Sequence, residues 1–374
     1  MRVRFRLGAS LKSGESSSRP KSRTPVAPSR AQEGEIPIPE RYQAYSQAVE
    51  EELKAVFESR QGFLYDVLRY HLGWVDQQGQ PEPGATPLHF QAAVALAACD
   101  SLGGGFHNAL PAAASVELVY NFTMVHSDVQ SGRAEAGDRP SIWWVWGPAQ
   151  AINAGDGLHA LGRTTMMRLD QRGVPSERVL SAVRSLDRAC LTLCEGQYMD
   201  LEFQDQLMVS SAAYLDMVGR KAGALTGCAA ESGALAAGAN DEVCSTLRDV
   251  GRGLGAGWQI ARDINDLWGE RGDGMTPSNV LNKKKSLPLI HTLENGSVSV
   301  KRELGSIYMK RVLEPEDTAR LIAILEEADA RTEAERKARE LVEQALDAAA
   351  GTGVPQEEQM HLRKLGEWAL EGAR

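Results

Sequence analysis

The sequence predicts an all-α bundle folded around a central cavity. From Pro39 onward apolar residues recur every three to four positions, as in Tyr45, Val49, Leu53 and Val56, then Phe63, Val67 and Tyr70. Strand signals are nearly absent. Small residues such as Ala92, Ala93, Ala95 and Ala97 let helices approach closely.

Residues 1–38 are rich in Arg, Lys, Ser and Pro and lack apolar periodicity. They read as a disordered basic tail, set apart from one helical domain over 39–374. The Arg-alternating start leaves a transit peptide or a membrane-surface contact open beside a plain tail or an overlong translation start. Helices are expected near residues 39–56 and 63–70. A polar loop over 77–87 carries Gly and Pro. An Ala-rich helix over 92–102 then ends at Gly103-Gly104-Gly105, and a long core helix covers 112–127. Further helices are expected at 148–170, 176–195, 211–235, 241–267, 286–294, 299–311, 315–350 and 355–371, with no second domain.

The net charge of −9 argues against a general nucleic-acid binder. No run of eighteen apolar residues exists, so no membrane span is expected. Five cysteines without a secretory signal fit a reduced cytosol, and a cytoplasmic location is expected. Cys190 and Cys194, one helical turn apart, read as buried small residues rather than metal ligands.

Chemistry concentrates in two acidic helices. In Trp258–Glu270, Asp263 and Asp266 are three apart and Gln259 precedes Asp263 by four, so all three share one helical face. Such a stripe holds a hard cation, or the anion that cation carries, unless it is only a solvated acidic face. Upstream, Asp128 closes the mostly apolar run Glu117–Ser131.

Together the two stretches resemble the trans-isoprenyl diphosphate synthases, the polyprenyl synthetase family. The resemblance continues in order through Trp143-Trp144-Val145-Trp146-Gly147, Ala149–Asp156, Gly196-Gln197-Tyr198-Met199-Asp200-Leu201, Lys221–Leu225 and Lys284–Leu289, covering roughly residues 40–350. It implies an isoprenoid-synthase-type bundle with Asp128 and Asp263 facing each other across the cavity. It also implies Mg²⁺ on Asp-rich motifs and an allylic prenyl diphosphate as substrate.

This chain departs from the family at the chemistry. The first motif, DDxxD, falls on Ser127-Asp128-Val129-Gln130-Ser131, where one carboxylate remains; the Arg pair that follows it falls on Ala136 and Gly137, with Arg133 and Arg139 nearby. In the second motif the first Asp is Arg262. The basic segment that grips isopentenyl diphosphate falls on Pro87–Ala92, without its lysine and arginines. Asp128, Asp263 and Asp266 are therefore the expected catalytic and metal residues. Three carboxylates stand where the family has about six, so Mg²⁺ is expected to bind weakly or only together with a diphosphate. Lys221, Gln259, Arg262, Lys284 and Lys285 are the expected substrate contacts, and Phe122 the floor of the chain pocket. Packing roles are expected for His126 and for Trp143, Trp144 and Trp146.

Retained allylic features beside a lost isopentenyl site point first to a terpene synthase that ionises an allylic diphosphate and cyclises or quenches the cation. A non-catalytic subunit in a hetero-oligomer with an active prenyl synthase stays open, as do a chain elongator and prenyl transfer to another acceptor. The resemblance implies a homodimer, and the Ala-rich segments 92–98 and 111–115 suit close packing between copies.

Overall fold

The computed structural model describes residues 40–82, 89–136, 139–206, 208–269, 277–349 and 356–371. The tail expected over 1–38 lies outside them. Among the described residues the α-helices are α1 (Glu40–Phe57), α2 (Phe63–His71), α3 (Phe90–Ser101), α4 (Leu110–Ser131), α5 (Ile142–Trp146), α6 (Pro148–Met167), α7 (Ser176–Asp205), α8 (Ser211–Val218), α9 (Ala224–Ala236), α10 (Asp241–Trp268), α11 (Ser278–Leu281), α12 (Leu287–Asn295), α13 (Val298–Tyr308), α14 (Pro315–Glu327), α15 (Ala330–Ala349) and α16 (Gln356–Glu371). Among the described residues the only ladder pairs Glu135-Ala136 with Arg139-Pro140, so the all-α expectation holds. No helix is long and apolar enough to cross a membrane among the described residues.

Helix α10 is the axis of the bundle; α9 and α15 pack on it, α3 packs on α9, and α6 lies along α4. Its start follows from the sequence: Asn240 accepts from the Val243 N–H at 2.9 Å, and Asp241 and Glu242 sit where the helix dipole favours negative charge. Leu247, Val250, Leu254 and Trp258 form its buried stripe. The alanines of α3 and of early α4 are fully buried within this chain. They serve its own core, which removes them as the basis for a dimer face.

Several boundaries differ from the sequence reading. Helix α7 runs ten residues further, to Asp205, because Gly196, Asp200 and Phe203 continue the buried stripe of Leu193. The span 211–235 is continuous but passes through a π turn at Gly219–Gly223, which lies against α7 and α10. The span 315–350 breaks after α14, where Asp329 adopts a left-handed φ of 51°.

Candidate active site

Helices α3, α4, α7, α10 and α16 and the segment around the π turn enclose a cavity of about 780 Å³. Its walls differ in character. Phe90, Tyr120, Phe122, Trp258 and Trp368 give it an aromatic side. Phe122 lies 4.8 Å from the His126 ring and 5.4 Å from the His159 ring, so the expected floor residue does face the cavity. Lys221, Lys284, Arg262 and Arg133 bring positive charge, and Gln91, Gln130, Gln197, Gln259 and Asn279 bring amides.

The lysine wall is built on a residue to which the sequence reading gave no role. Asp200 on α7 is buried and accepts from Lys221 Nζ at 2.6 Å, with Lys284 Nζ at 3.3 Å. Burial alone would raise the Asp200 pKa; the two ammonium groups outweigh it and hold the carboxylate at about 2. Burial and the neighbouring Lys284 pull Lys221 below its ordinary value. Asp200 alone sets one carboxylate between the two ammoniums, and Asp263 lies within their electrostatic reach. The π turn brings Lys221 there: the Gly196 hydrogens face the Lys221 backbone nitrogen so closely that no side chain would fit. A sequence signal existed, because an acid at the i, i+3, i+4 positions of an apolar stripe requires a buried partner.

Asp263 and Asp266 line the cavity from α10, as their spacing predicts. Asp263 accepts from Tyr214 Oη at 2.7 Å, Gln259 Nε2 at 2.9 Å and Asn279 Nδ2 at 3.2 Å. Burial raises its pKa, against the Tyr214 hydrogen bond and the two lysines. Burial also drives the Tyr214 hydroxyl well above its ordinary range, with the Asp263 charge beside it adding to the effect. Asp266 caps α11, accepting from Ser278 Oγ at 2.8 Å and from the Ser278 and Asn279 backbone N–H groups at 3.2 and 2.8 Å.

Asp128 departs from expectation. It is buried, and the cavity-lining side chains do not include it. On α4 the cavity face is Thr123, His126, Ser127 and Gln130, whereas Asp128 shares the buried stripe of Val125. Burial lifts its pKa to about 6, against an Arg133 guanidinium 3.5 Å away. Lys285 also turns away: its ammonium donates to the Gln204 and Lys283 carbonyls at 3.1 Å and faces the Tyr308 ring. Arg139 is engaged with the Val75 carbonyl and Glu82. Cys190 is buried as expected, but Cys194 is exposed at the cavity rim. Two of the three tryptophans of α5 pack as expected: Trp146 lies edge-on to Tyr70, and Trp143 donates to the Arg133 carbonyl, whereas Trp144 is 62% exposed.

Taken as they stand, these donors do not fit a resident Mg²⁺. The ion asks for octahedral oxygen coordination. Asp263 and Asp266 offer two carboxylates already satisfied by neighbours, and no group of three His, Cys, Asp or Glu side chains able to hold a metal occurs among the described residues. Titrating Mg²⁺ into the free protein is therefore expected to give no saturable heat. With an unreactive allylic diphosphate analogue present, phosphate oxygens complete the set and binding heat should appear. Tight Mg²⁺ binding to the free protein would contradict this description of the ligands.

The segment on which the family's isopentenyl diphosphate grip falls, expected to have lost it, is described from His89 onward. His89 is buried with Nδ1 3.1 Å from Glu117 and Nε2 3.6 Å from Glu50. Burial would lower its pKa, but the two carboxylates raise it to about 9, so it is an imidazolium consumed by its own ion pairs. Phe90 stacks on Trp258 at 5.1 Å, and Gln91 faces the cavity.

With this geometry in hand, similarity to known proteins is informative. Residues 89–325 match the profile of the Polyprenyl synthetase family. A geranylgeranyl diphosphate synthase of Mycobacterium tuberculosis is 35% identical over 300 residues, covering 79% of this chain and 84% of that protein. A (2E,6E)-farnesyl diphosphate synthase of the same organism is 31% identical over 314 residues, covering 82% and 85%. Among solved structures, a polyprenyl synthetase from Streptomyces coelicolor superposes with a TM-score of 0.80 at 30% identity, covering 88% of this chain and 98% of that one.

Proposed function

We propose a function from the premise that this chain belongs to the polyprenyl synthetase family: it is a prenyltransferase that lengthens an allylic prenyl diphosphate. The observation that carries the reading is one cavity with two lysines paired on Asp200 and an aromatic side at Phe90, Tyr120, Phe122 and Trp258. A prenyl diphosphate has the matching two ends. Its diphosphate would lie against Lys221 and Lys284 and its hydrocarbon chain against the rings.

The chain's own groups support the chemistry. When the allylic C–O bond breaks, the bonding pair leaves with the diphosphate, and the two ammoniums stabilise the charge that develops there. The ring faces favour the allylic cation through their negative quadrupole. Attack by the double bond of isopentenyl diphosphate forms the new C–C bond, and a proton leaves the acceptor to restore an alkene. Lys284→Gln tests the donor end. It should weaken binding of farnesyl diphosphate in calorimetry by about tenfold or more, the loss of one charge-assisted contact. Unchanged affinity would remove the lysine wall from the site.

A second reading, ionisation followed by cyclisation or quenching, is favoured by one specific observation: the His89 imidazolium is taken up by Glu50 and Glu117 and is not offered to a second diphosphate. A homodimer is also part of the proposal. Exposed Ile152 and Met167 on α6 and Leu180 and Leu191 on α7 support a second copy as partner. A light-scattering mass of one chain at micromolar concentration would exclude it.

A further inference from the structure

We infer that the cavity contains a second anion subsite, built on Arg262, which takes the diphosphate of the prenyl acceptor. This rests on the prenyl-transfer reading and adds a residue role to it.

Consecutive residues on an α-helix point about 100° apart. Asp263 therefore faces the lysine wall and Tyr214, while Arg262 faces α4 and α3. There its Nη1 donates to Tyr120 Oη at 2.8 Å, and its guanidinium carbon stands 4.8 Å from the centre of the Trp258 ring. Trp258 is fixed in turn, stacked on Phe90 at 5.1 Å and edge-on to Tyr120 at 5.9 Å. The guanidinium is thus held in one orientation by an aromatic bracket. No carboxylate among the described residues lies within ion-pair distance of it. Arg133, Lys221 and Lys284, the other cavity cations, each have an acidic partner.

A positioned guanidinium without a counter-charge in a cavity is suited to an anionic ligand. One of its five N–H donors serves Tyr120, and those remaining can form the paired contacts that phosphate oxygens accept. A further donor, the Gln91 amide, lines the same cavity. Chain elongation joins two molecules that each carry a diphosphate. The cavity has two cationic centres on different walls, the Lys221–Lys284 pair and Arg262. The donor's diphosphate belongs to the lysine pair and the acceptor's to Arg262.

Calorimetry with inorganic diphosphate, together with steady-state kinetics, tests the assignment on wild type, Arg262→Gln, Arg262→Lys and Lys284→Gln, each first verified as folded by thermal melting. Wild type is expected to bind two diphosphates per chain and Arg262→Gln one. In turnover, Arg262→Gln should raise the KM for isopentenyl diphosphate about tenfold or more and leave the allylic KM within about twofold. Arg262→Lys should fall between, keeping charge but losing the fork. Lys284→Gln should show the opposite split. A single bound diphosphate in wild type, or an Arg262→Gln effect on the allylic KM alone, overturns the inference. Two bound diphosphates with no elongated product would leave the subsite standing and remove the elongation reading. Elongation with an isopentenyl KM untouched by Arg262→Gln would do the reverse.

Discussion

Asp200→Ala is expected to destabilise the protein by about 3–5 kcal/mol at neutral pH, the cost of removing one partner from a buried ion pair. The loss is large because the two ammoniums that remain, Lys221 and Lys284, then face each other without the carboxylate that pairs them, with only the Asp263 charge nearby. Urea denaturation of wild type and variant gives the number directly; a difference below about 1 kcal/mol would mean that water or another group takes over from the carboxylate. The effect has a defined pH window. The Asp200 pKa is lowered from an ordinary 3.8 to about 2 in the folded chain. Its contribution is therefore full above the ordinary value and is lost as pH falls through the folded one. The stability gap between wild type and Asp200→Asn should be constant from pH 5 to 7, as estimated on this linkage, and shrink over roughly pH 4 to 2.

The second large effect lies away from the site. Gly233→Val is expected to cost about 3 kcal/mol or more through overpacking. A Cβ at Gly233 on α9 would collide with the backbone carbonyl oxygen of Ala95 on α3, and neither element can move. Ala95 is fully buried within a fully apolar stretch of α3, and α9 is held on its other side by α10. Gly233→Ala should already lose most of this stability, because the first carbon makes the collision. An Ala variant that denatures within about 0.5 kcal/mol of wild type would show that the two helices can separate at low cost.

Much of this was legible in the sequence because it rests on periodicity. The long helices and the shared face of Gln259, Asp263 and Asp266 follow from a repeat of 3.6, and the cavity side of Phe122 from its place five residues before the first motif of the resembled family. What failed did so by a single residue of rotation. Asp128 carried the one surviving charge of the first motif, yet the cavity face runs through Ser127 and Gln130, and Asp128 falls on the buried side. Lys284 and Lys285 diverge in the same way, one toward Asp200 and its neighbour toward backbone carbonyls. Asp200 was missed for a different reason: its partners lie 21 and 84 residues further along the chain, and only the fold brings them together. The role of Arg262 likewise depends on Tyr120, 142 residues earlier.

The central claim is that this cavity transfers a prenyl group to a second diphosphate-bearing molecule. The direct measurement is to incubate the full chain in Mg²⁺-containing buffer with dimethylallyl, geranyl, farnesyl or geranylgeranyl diphosphate, each with and without isotope-labelled isopentenyl diphosphate, and to weigh the products by mass spectrometry. The expected product is a linear prenyl diphosphate longer by one or more isoprene units, carrying the label, and formed only when isopentenyl diphosphate is present. A cyclic hydrocarbon or an alcohol of unchanged carbon number, formed equally well without isopentenyl diphosphate, would contradict the claim and leave cyclisation or quenching as the reaction of this site.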